Sequence, residues 1–265
     1  MEKSCGPSAG MTTKLSLPGA LTMKNDEFGD RMKAYENADK LQYCGKFPVY
    51  MRLDGRSFSK FTKSLVASGK LVKPRDTKFE SIFIAATKAT VQEFHFALGF
   101  HQSDEISLFF KVMENPESEL PFGGTVQKLT SVVASYFTAA FIFEFNNVYG
   151  YIPSGVSFDA RVCELPTVSE ATNMLVWRWK DGHRNMIQDI AHHKFGPKLL
   201  DGKSTNSKWE MIGSPKICAG NFIKRVDISE NNDIVRHRIE RIDVDFKSMT
   251  FDERMNLIYG KVDYV

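Results

Sequence analysis

Two short apolar runs, each set against an aspartate, constrain what this chain can build. Pro48-Val-Tyr-Met-Arg-Leu53 is closed by Asp54-Gly55, and Ile106-Ser-Leu-Phe-Phe110 is preceded by His101-Gln-Ser-Asp-Glu105. Runs of this length and content predict strands, and Asp-Gly predicts a turn where the first one ends. If the two strands are antiparallel neighbours, Asp54 and Asp104 finish at the same edge of a sheet. Such a carboxylate pair suits a hard cation, because Mg²⁺ takes oxygen ligands and commonly uses one or two carboxylates plus substrate phosphates. Two ions held this way can activate an attacking oxygen and stabilise a leaving one. Gly55 removes side-chain bulk, so the backbone of residues 55–59 can approach a triphosphate. Arg52, Arg56, Lys60, Lys73 and Arg75 cluster around this loop in sequence and can balance phosphate charge. By spacing alone, an ordinary Asp-Gly turn and a solvated Ser-Asp-Glu loop remain open readings.

The other elements follow from periodicity. A short amphipathic helix is expected over 28–41, and a second helix from about Thr77 to Leu98, opened by a Thr77/Glu80 capping pattern and stopped by Gly99. A long helix is predicted from about Val126 to Phe143, a strand from Phe158 to Leu165, and a helix from Val168 to about His193. Past Phe195 the chain turns basic and loop-rich, through Lys198, Lys203, Lys208 and Lys216. It ends in a hairpin of Phe222–Val226 and Ile234–Phe246, broken at 229–233. Strands and helices in mixed order, without βαβα alternation, favour an α+β sheet with helices on one face over a doubly wound fold. Residues 1–25, rich in Ser, Gly, Pro and Thr, are expected to be a flexible leader.

Composition excludes some classes. With 42% hydrophobic and 25% charged residues in 265, the chain has the balance of a globular protein. A net charge of +3 permits an RNA or nucleotide partner without demanding one. Cys5, Cys44, Cys163 and Cys218 form no CxxC pair and are expected to be free thiols. The uncharged stretch Leu129–Phe143 is too short for a membrane span, so a buried helix and no membrane partner are expected. The leader has no continuous apolar core, which points to the cytoplasm, with a mitochondrial address the weaker alternative. Gly196–Ser204 imitates a phosphate-binding loop but has one residue too many between its glycines. Trp177, Trp179, Phe137 and Phe141 are expected to pack in the core or an interface, and His192-His193 to sit at a surface helix end. Glu105, next to Asp104, is expected to turn to the other strand face and not to be a ligand.

Several of these segments together resemble one family. Arg52-Leu-Asp-Gly-Arg-Ser-Phe-Ser-Lys-Phe-Thr62, Lys73-Pro-Arg-Asp76 and Gln102-Ser-Asp-Glu-Ile-Ser107 look like the tRNA-His guanylyltransferases, and in particular their bacterial-type guanylyltransferase-like branch. So do Phe28–Glu36, Lys128–Ser135, Ser157–Arg161, Trp177-Arg178 with Asp181–Asn185, and Lys208–Glu210, in order over roughly residues 26–225. The resemblance implies a polymerase-palm-like (ferredoxin-like) antiparallel sheet flanked by helices. Residues 26–165 would form the catalytic palm, and a smaller helical, loop and hairpin region, 166–265, would pack on it. It implies transfer of nucleotides to the 5′ end of RNA, with ATP or GTP activating a 5′-monophosphate, nucleoside triphosphates and tRNA as substrates, and a homo-tetramer. Carried over by position, Asp54 and Asp104 would be catalytic and bind two Mg²⁺, with Gly55 assisting. Gly55, Arg56, Ser57, Phe58, Ser59 and Ser103 would contact nucleotide phosphates, Lys73 and Asp76 would lie near the activating nucleotide, and Lys128 near a second triphosphate. His183 and Asn185 match a motif linked to RNA handling.

The chain departs from the family where substrate is concerned. Gly123-Gly124 stand where two arginines are usual, and His183-Arg-Asn-Met186 and Lys208-Trp-Glu210 replace His-Ile-Asn-Asn and Lys-Asn-Glu. This favours template-dependent repair of 5′-truncated tRNA over addition of a single G to tRNA-His. A small-nucleotide palm enzyme and a non-catalytic RNA-binding relative are the other classes, and intact Asp54 and Asp104 argue against the latter.

Overall fold

A computed structural model describes residues 27–38, 40–113, 117–213, 219–230 and 233–260. The expected leader lies outside them, as do Cys5 and Cys218. Residues up to Lys40 form one unit and Leu41 onward another. Within the first, Glu27–Asn37 is helical (α1), close to the expected span.

The second unit is organised by a six-stranded sheet whose neighbouring strands are all antiparallel. Its strands are β1 (Val49–Gly55), β2 (Phe96–Gln102), β3 (Glu105–Phe110), β4 (Phe158–Glu164), β5 (Asn221–Glu230) and β6 (Asp233–Ile242), in the order β4-β1-β3-β2-β5-β6. The expected antiparallel pairing of the two apolar runs is present, with Tyr50 opposite Phe109 and Asp54 opposite Glu105. Alternation along β1 divides the core. Met51 and Leu53 join Ile106 and Leu108 on one face, under α3 (Thr77–Glu93) and α4 (Val126–Tyr149). Tyr50 and Phe109 face the other way, with Ala171 and Leu175 of α5 (Val168–Phe195) and Leu257 and Ile258 of α8 (Phe251–Tyr259). Helices therefore cover both faces, not one, because β1, β2 and β3 carry apolar side chains on both sides.

The expected helix to Leu98 is the main correction. α3 ends at Glu93, His95 takes a positive φ of 59°, and Phe96–Gln102 form a strand buried along its whole length. A central strand covered on both faces has no alternating pattern, so its apolar run continued the helix signal without a break. Gly99 is an interior strand residue: a Cβ there would stand 2.9 Å from Thr87. Asp76, not Thr77, caps α3, accepting from the amides of Lys78 and Phe79. A ten-residue helix, α2 (Phe58–Ala67), fills a stretch expected to be loop, and α6 (Pro197–Leu200) and α7 (Thr205–Met211) interrupt the basic segment. α8 was legible but unread: Thr250 and Glu253 form its reciprocal capping box. β5 pairs directly with β2, so residues after 166 extend the same sheet instead of only packing on it.

α4 is long and apolar enough to cross a membrane by length and composition. Its Leu129, Val133, Phe137, Phe141 and Phe145 are nonetheless fully buried against the sheet and α3, as a core helix requires. Phe141 meets the rings of Phe58, Phe79, Phe83 and Phe158 at 4.8–6.3 Å, whereas Phe143, half a turn away, is 63% exposed. Phe141→Ala is expected to cost about 3–5 kcal/mol of stability and Phe143→Ala no more than about 0.5 kcal/mol. Urea unfolding of the two variants checks the contrast.

Candidate active site

The β1–β3 register carries Asp54 to the sheet edge, where it stands opposite Glu105 on one side and Asp159 of β4 on the other. β2 and β3 are joined by the two-residue turn Ser103-Asp104, with Ser103 at φ 50°. The Gly55 amide donates to the Asp104 carbonyl at 3.1 Å, so the two aspartates sit on hydrogen-bonded backbone segments. The Ser103 hydroxyl donates to Asp104 Oδ1 at 3.1 Å. Burial raises the Asp104 pKa above its ordinary value; the hydrogen bonds pull the other way, and the charges of Asp54 and Glu105 add to the rise. Two carboxylates held together, one of them poorly solvated, form a donor set that fits Mg²⁺, with waters and phosphate oxygens completing six ligands. No preformed cluster of three or more His, Cys, Asp or Glu occurs among the described residues.

The segment after Asp54 is built for close approach. A Cβ at Gly55 would lie 2.6 Å from the Phe58 ring, so only glycine lets the chain fold over that ring. Ser57 precedes α2 in the left-handed region (φ 53°) and makes no side-chain cap. The Lys60 amide donates to the Ser57 carbonyl at 3.0 Å, and the amides of Phe58 and Ser59 are left for an anion. Arg56, Ser57 and Ser59 are exposed, while Phe58 is buried in the aromatic cluster.

Beside this edge lies a cavity of about 360 Å³, the size of a small-ligand pocket. Among its lining residues are Phe58, Lys73, Asp76, Ser103 and Asn185, five of the expected site residues drawn from four separate segments. Lys73 Nζ pairs with Asp189 of α5 at 3.4 Å. The Asp76 carboxylate is taken up by the amides of Val72, Lys78 and Phe79, so it shapes the loop that walls the cavity. Lys128 stands apart. The edge meets α4 at Thr138, whose hydroxyl accepts from the Phe158 amide opposite Gly55, and ten residues of helix separate the two, about 15 Å. His183 packs between Trp179 and Trp209, at 4.9 and 5.1 Å, with Nδ1 buried and unpartnered; Asn185 alone of that pair reaches the cavity. Trp179, Phe137 and Phe141 pack as expected, but Trp177 is 55% exposed.

Four further side chains bear on the site. Glu105 shares the sheet face of Asp54, contrary to the expected alternation, because Asp104 lies in the turn and not in the strand. Its carboxylate is engaged by Arg178 of α5, at 2.6 Å through both oxygens. Arg52 bridges Asp54 (3.5 Å) and Glu105 (3.7 Å). At the cavity floor His101 is 3% exposed, stacks on Phe83 at 4.6 Å, and bonds the Ser103 carbonyl through Nε2 at 2.9 Å. Arg178 and His101 lie within the segments named above, but no local pattern marks a residue whose partner is 73 positions away or whose stacking ring lies on α3.

Burial depresses the His101 pKa to about 4. The unfolded chain takes up a proton near pH 6.5 that the folded one refuses, so His101 supports stability at neutral pH and loses that support as pH falls. Between pH 6.5 and 5 the loss is expected to be about 2 kcal/mol. Urea midpoints of wild type and His101→Gln across that range check it: the variant should show the flatter profile.

Residues 29–166, more than half of the chain, match the family described as tRNAHis guanylyltransferase. An uncharacterized protein of Acanthamoeba polyphaga mimivirus is 35% identical over 198 residues, 66% of either chain. The tRNA(His) guanylyltransferase of Schizosaccharomyces pombe is 31% identical over 182 residues, covering 68% of this chain and 64% of that one. The chain thus spans just under two thirds of these relatives' length. A bacterial tRNA(His) guanylyltransferase (Thg1)-like protein solved in complex with ATP superposes with a TM-score of 0.71 at 26% identity, over 88% of this chain and 99% of that one. Its counterpart in complex with GTP gives 0.69 at 28%. The fold is the palm-like one of these structures, and the chain belongs to the tRNAHis guanylyltransferase family.

Proposed function

We propose that this protein is a metal-dependent nucleotidyltransferase that extends RNA in the 3′→5′ direction and repairs 5′-truncated tRNAs under template direction. The observation that carries the reading is the meeting of Asp54 and Asp104 at one sheet edge, beside a cavity sized for a nucleotide. The ATP and GTP complexes of the bacterial relatives support binding of a nucleoside triphosphate by this chain. Asp54 and Asp104 would hold Mg²⁺, which when bound supplies charge for the attacking and leaving oxygens of the transferred phosphoryl group. The free amides of α2 and Ser103 would grip phosphates, with Arg56 and Lys73 offsetting their charge. ATP or GTP would transfer its nucleotidyl group to a 5′-monophosphate end with release of pyrophosphate. The 3′-hydroxyl of the incoming nucleotide would then attack that 5′-phosphate, expelling AMP or GMP. Such chemistry asks chiefly for positioning and charge neutralisation, which these residues provide.

Repair is favoured over single-G addition by the substrate-linked positions. Gly124, where an arginine is usual, has φ 71°, and a Cβ there would run into the Tyr43 carbonyl. The backbone at this point disfavours any side chain, so the arginine usual in the family has no counterpart here. Lys128 lies about 15 Å along α4 from the edge that carries the aspartates, so any triphosphate it contacts would lie apart from the one held by them. A homo-tetramer is proposed from the family likeness. Light scattering tests that state, and fractionation of cells expressing the protein tests the proposed cytoplasmic location.

Purified protein with Mg²⁺, ATP and all four NTPs is expected to extend a tRNA lacking its first 5′ nucleotide, choosing the nucleotide that pairs with the opposing acceptor-stem base. Addition of G confined to tRNA-His would restore the guanylyltransferase reading, and turnover of free nucleotides without RNA extension would hand the reading to a small-nucleotide enzyme. Asp54→Ala and Asp104→Ala should each lower transfer by about 10³-fold or more, since each removes a ligand from a site that acts mainly by charge. Circular dichroism should show both still folded, and wild-type rates in either variant would remove the metal assignment.

A further inference from the structure

The turn that carries Asp104 is held from both sides by one helix. Glu105, immediately after it, receives both Arg178 Nε and Nη2 at 2.6 Å, and the side chains of this pair are 12% and 6% exposed. Gln102, immediately before it, donates toward Glu105 Oε1 at 3.4 Å and toward the Arg178 carbonyl at 3.5 Å. One helical turn beyond Arg178, Gly182 sits so close to Gln102 that a Cβ would run into its amide oxygen. Both residues flanking Ser103-Asp104 therefore bear on α5, at Arg178 and at Gly182. From Glu105 the contacts continue through Arg52 to Asp54, and from Arg178 to Asp181 at 2.9 Å and on to Arg184. Arg178 is the central member of this chain, and it does not line the nucleotide cavity.

We infer that Arg178 is a positioning residue for the proposed metal site: through its two-pronged contact with Glu105 it fixes the Ser103-Asp104 turn and withholds Glu105 from the cation. The inference rests on the function proposed above. A guanidinium suits the task because its planar fork matches a carboxylate at two points and cannot be deprotonated in a protein. Without it, Glu105 would keep only its longer contacts to Arg52 (3.7 Å) and Gln102 (3.4 Å) beside Asp54 and Asp104. It would draw the ion away from Asp104 or release the turn, and a displacement of about 1 Å at such a site can cost on the order of 100-fold in rate. A helix that merely supports the fold would behave differently. α5 also forms a cavity wall through Asn185, Met186 and Asp189, so general loosening of the helix would weaken nucleotide binding as well.

The test compares wild type, Arg178→Lys, Arg178→Met and the double variant Glu105→Gln/Arg178→Met. Three quantities are read: kcat for RNA extension, affinity for Mn²⁺ by electron paramagnetic resonance, and affinity for a fluorescent ATP analogue without metal. Expected for Arg178→Met are a fall in kcat of about 100-fold and weakened Mn²⁺ binding, with ATP-analogue affinity within about twofold of wild type. Lysine keeps the charge but loses the fork, so it should recover only part. The double variant should regain Mn²⁺ affinity over Arg178→Met because position 105 no longer carries a carboxylate to compete for the ion. If kcat and Mn²⁺ affinity stay at wild-type values, or if ATP-analogue affinity falls in parallel with both, the inference is overturned. Should Arg178→Met fail to fold, Arg178→Lys decides alone by the same three readings. Because the Mn²⁺ reading needs no RNA, an inactive wild type that still binds metal would sink the proposed RNA activity and leave Arg178 under test.

Discussion

The antiparallel register of β1 on β3 is the constraint on which the rest of the molecule depends. It places Asp54 opposite Glu105, so that the end of one strand and the turn before the other share an edge. The same register faces Met51 and Leu53 toward α3 and α4, and Tyr50 toward α5. A slip of one residue would exchange the two faces and send the carboxylate into the phenylalanine core. Burial on both sides makes that exchange expensive, so the core that stabilises the sheet also fixes where the acidic groups emerge.

Emerging together has a cost that the surrounding charges meet. Asp54, Asp104 and Glu105 lie within one turn and two strand ends, and each like charge disfavours the others. Arg52 stands between Asp54 and Glu105, and Arg178 takes Glu105 completely. Buried ion pairs of this kind are weak evidence for stability, because desolvation offsets much of their attraction. Their effect here is geometric: they hold the Glu105 carboxylate in place beside Asp54 and Asp104. The glycines serve the same end. Gly55 folds onto Phe58, and Gly182 admits Gln102, each at a point where any Cβ would collide.

Much of this was legible beforehand, and the failures have a common cause. The strand beginnings and ends around Asp54 and Ile106, the long helices, the terminal hairpin and the family likeness all rest on contiguous residues. β2 was lost because a strand buried on both faces carries no period to set it apart from the preceding helix. α2 was missed because its start uses Ser57 with a left-handed backbone and no side-chain cap, the signal that ordinarily announces a helix. Asp76, expected beside a nucleotide, proved to be the cap of α3 while still lining the cavity.

What the sequence by itself determined is the set of chemical groups and the segments that carry them: two aspartates against apolar strands, a glycine after the first, cations nearby, and motifs in family order. Those are local properties, written in neighbouring residues and in periods of two and 3.6. Only the tertiary structure decided which groups meet. It brought Lys73, Phe58, Ser103 and Asn185 to one cavity, set Lys128 about 15 Å away along α4, turned His183 between two tryptophans, and closed Arg178 on Glu105. Each of these depends on the pairing of β1 with β3 and on how α3, α4 and α5 settle over the two faces. Packing of that kind joins residues far apart along the chain, and no local pattern encodes it.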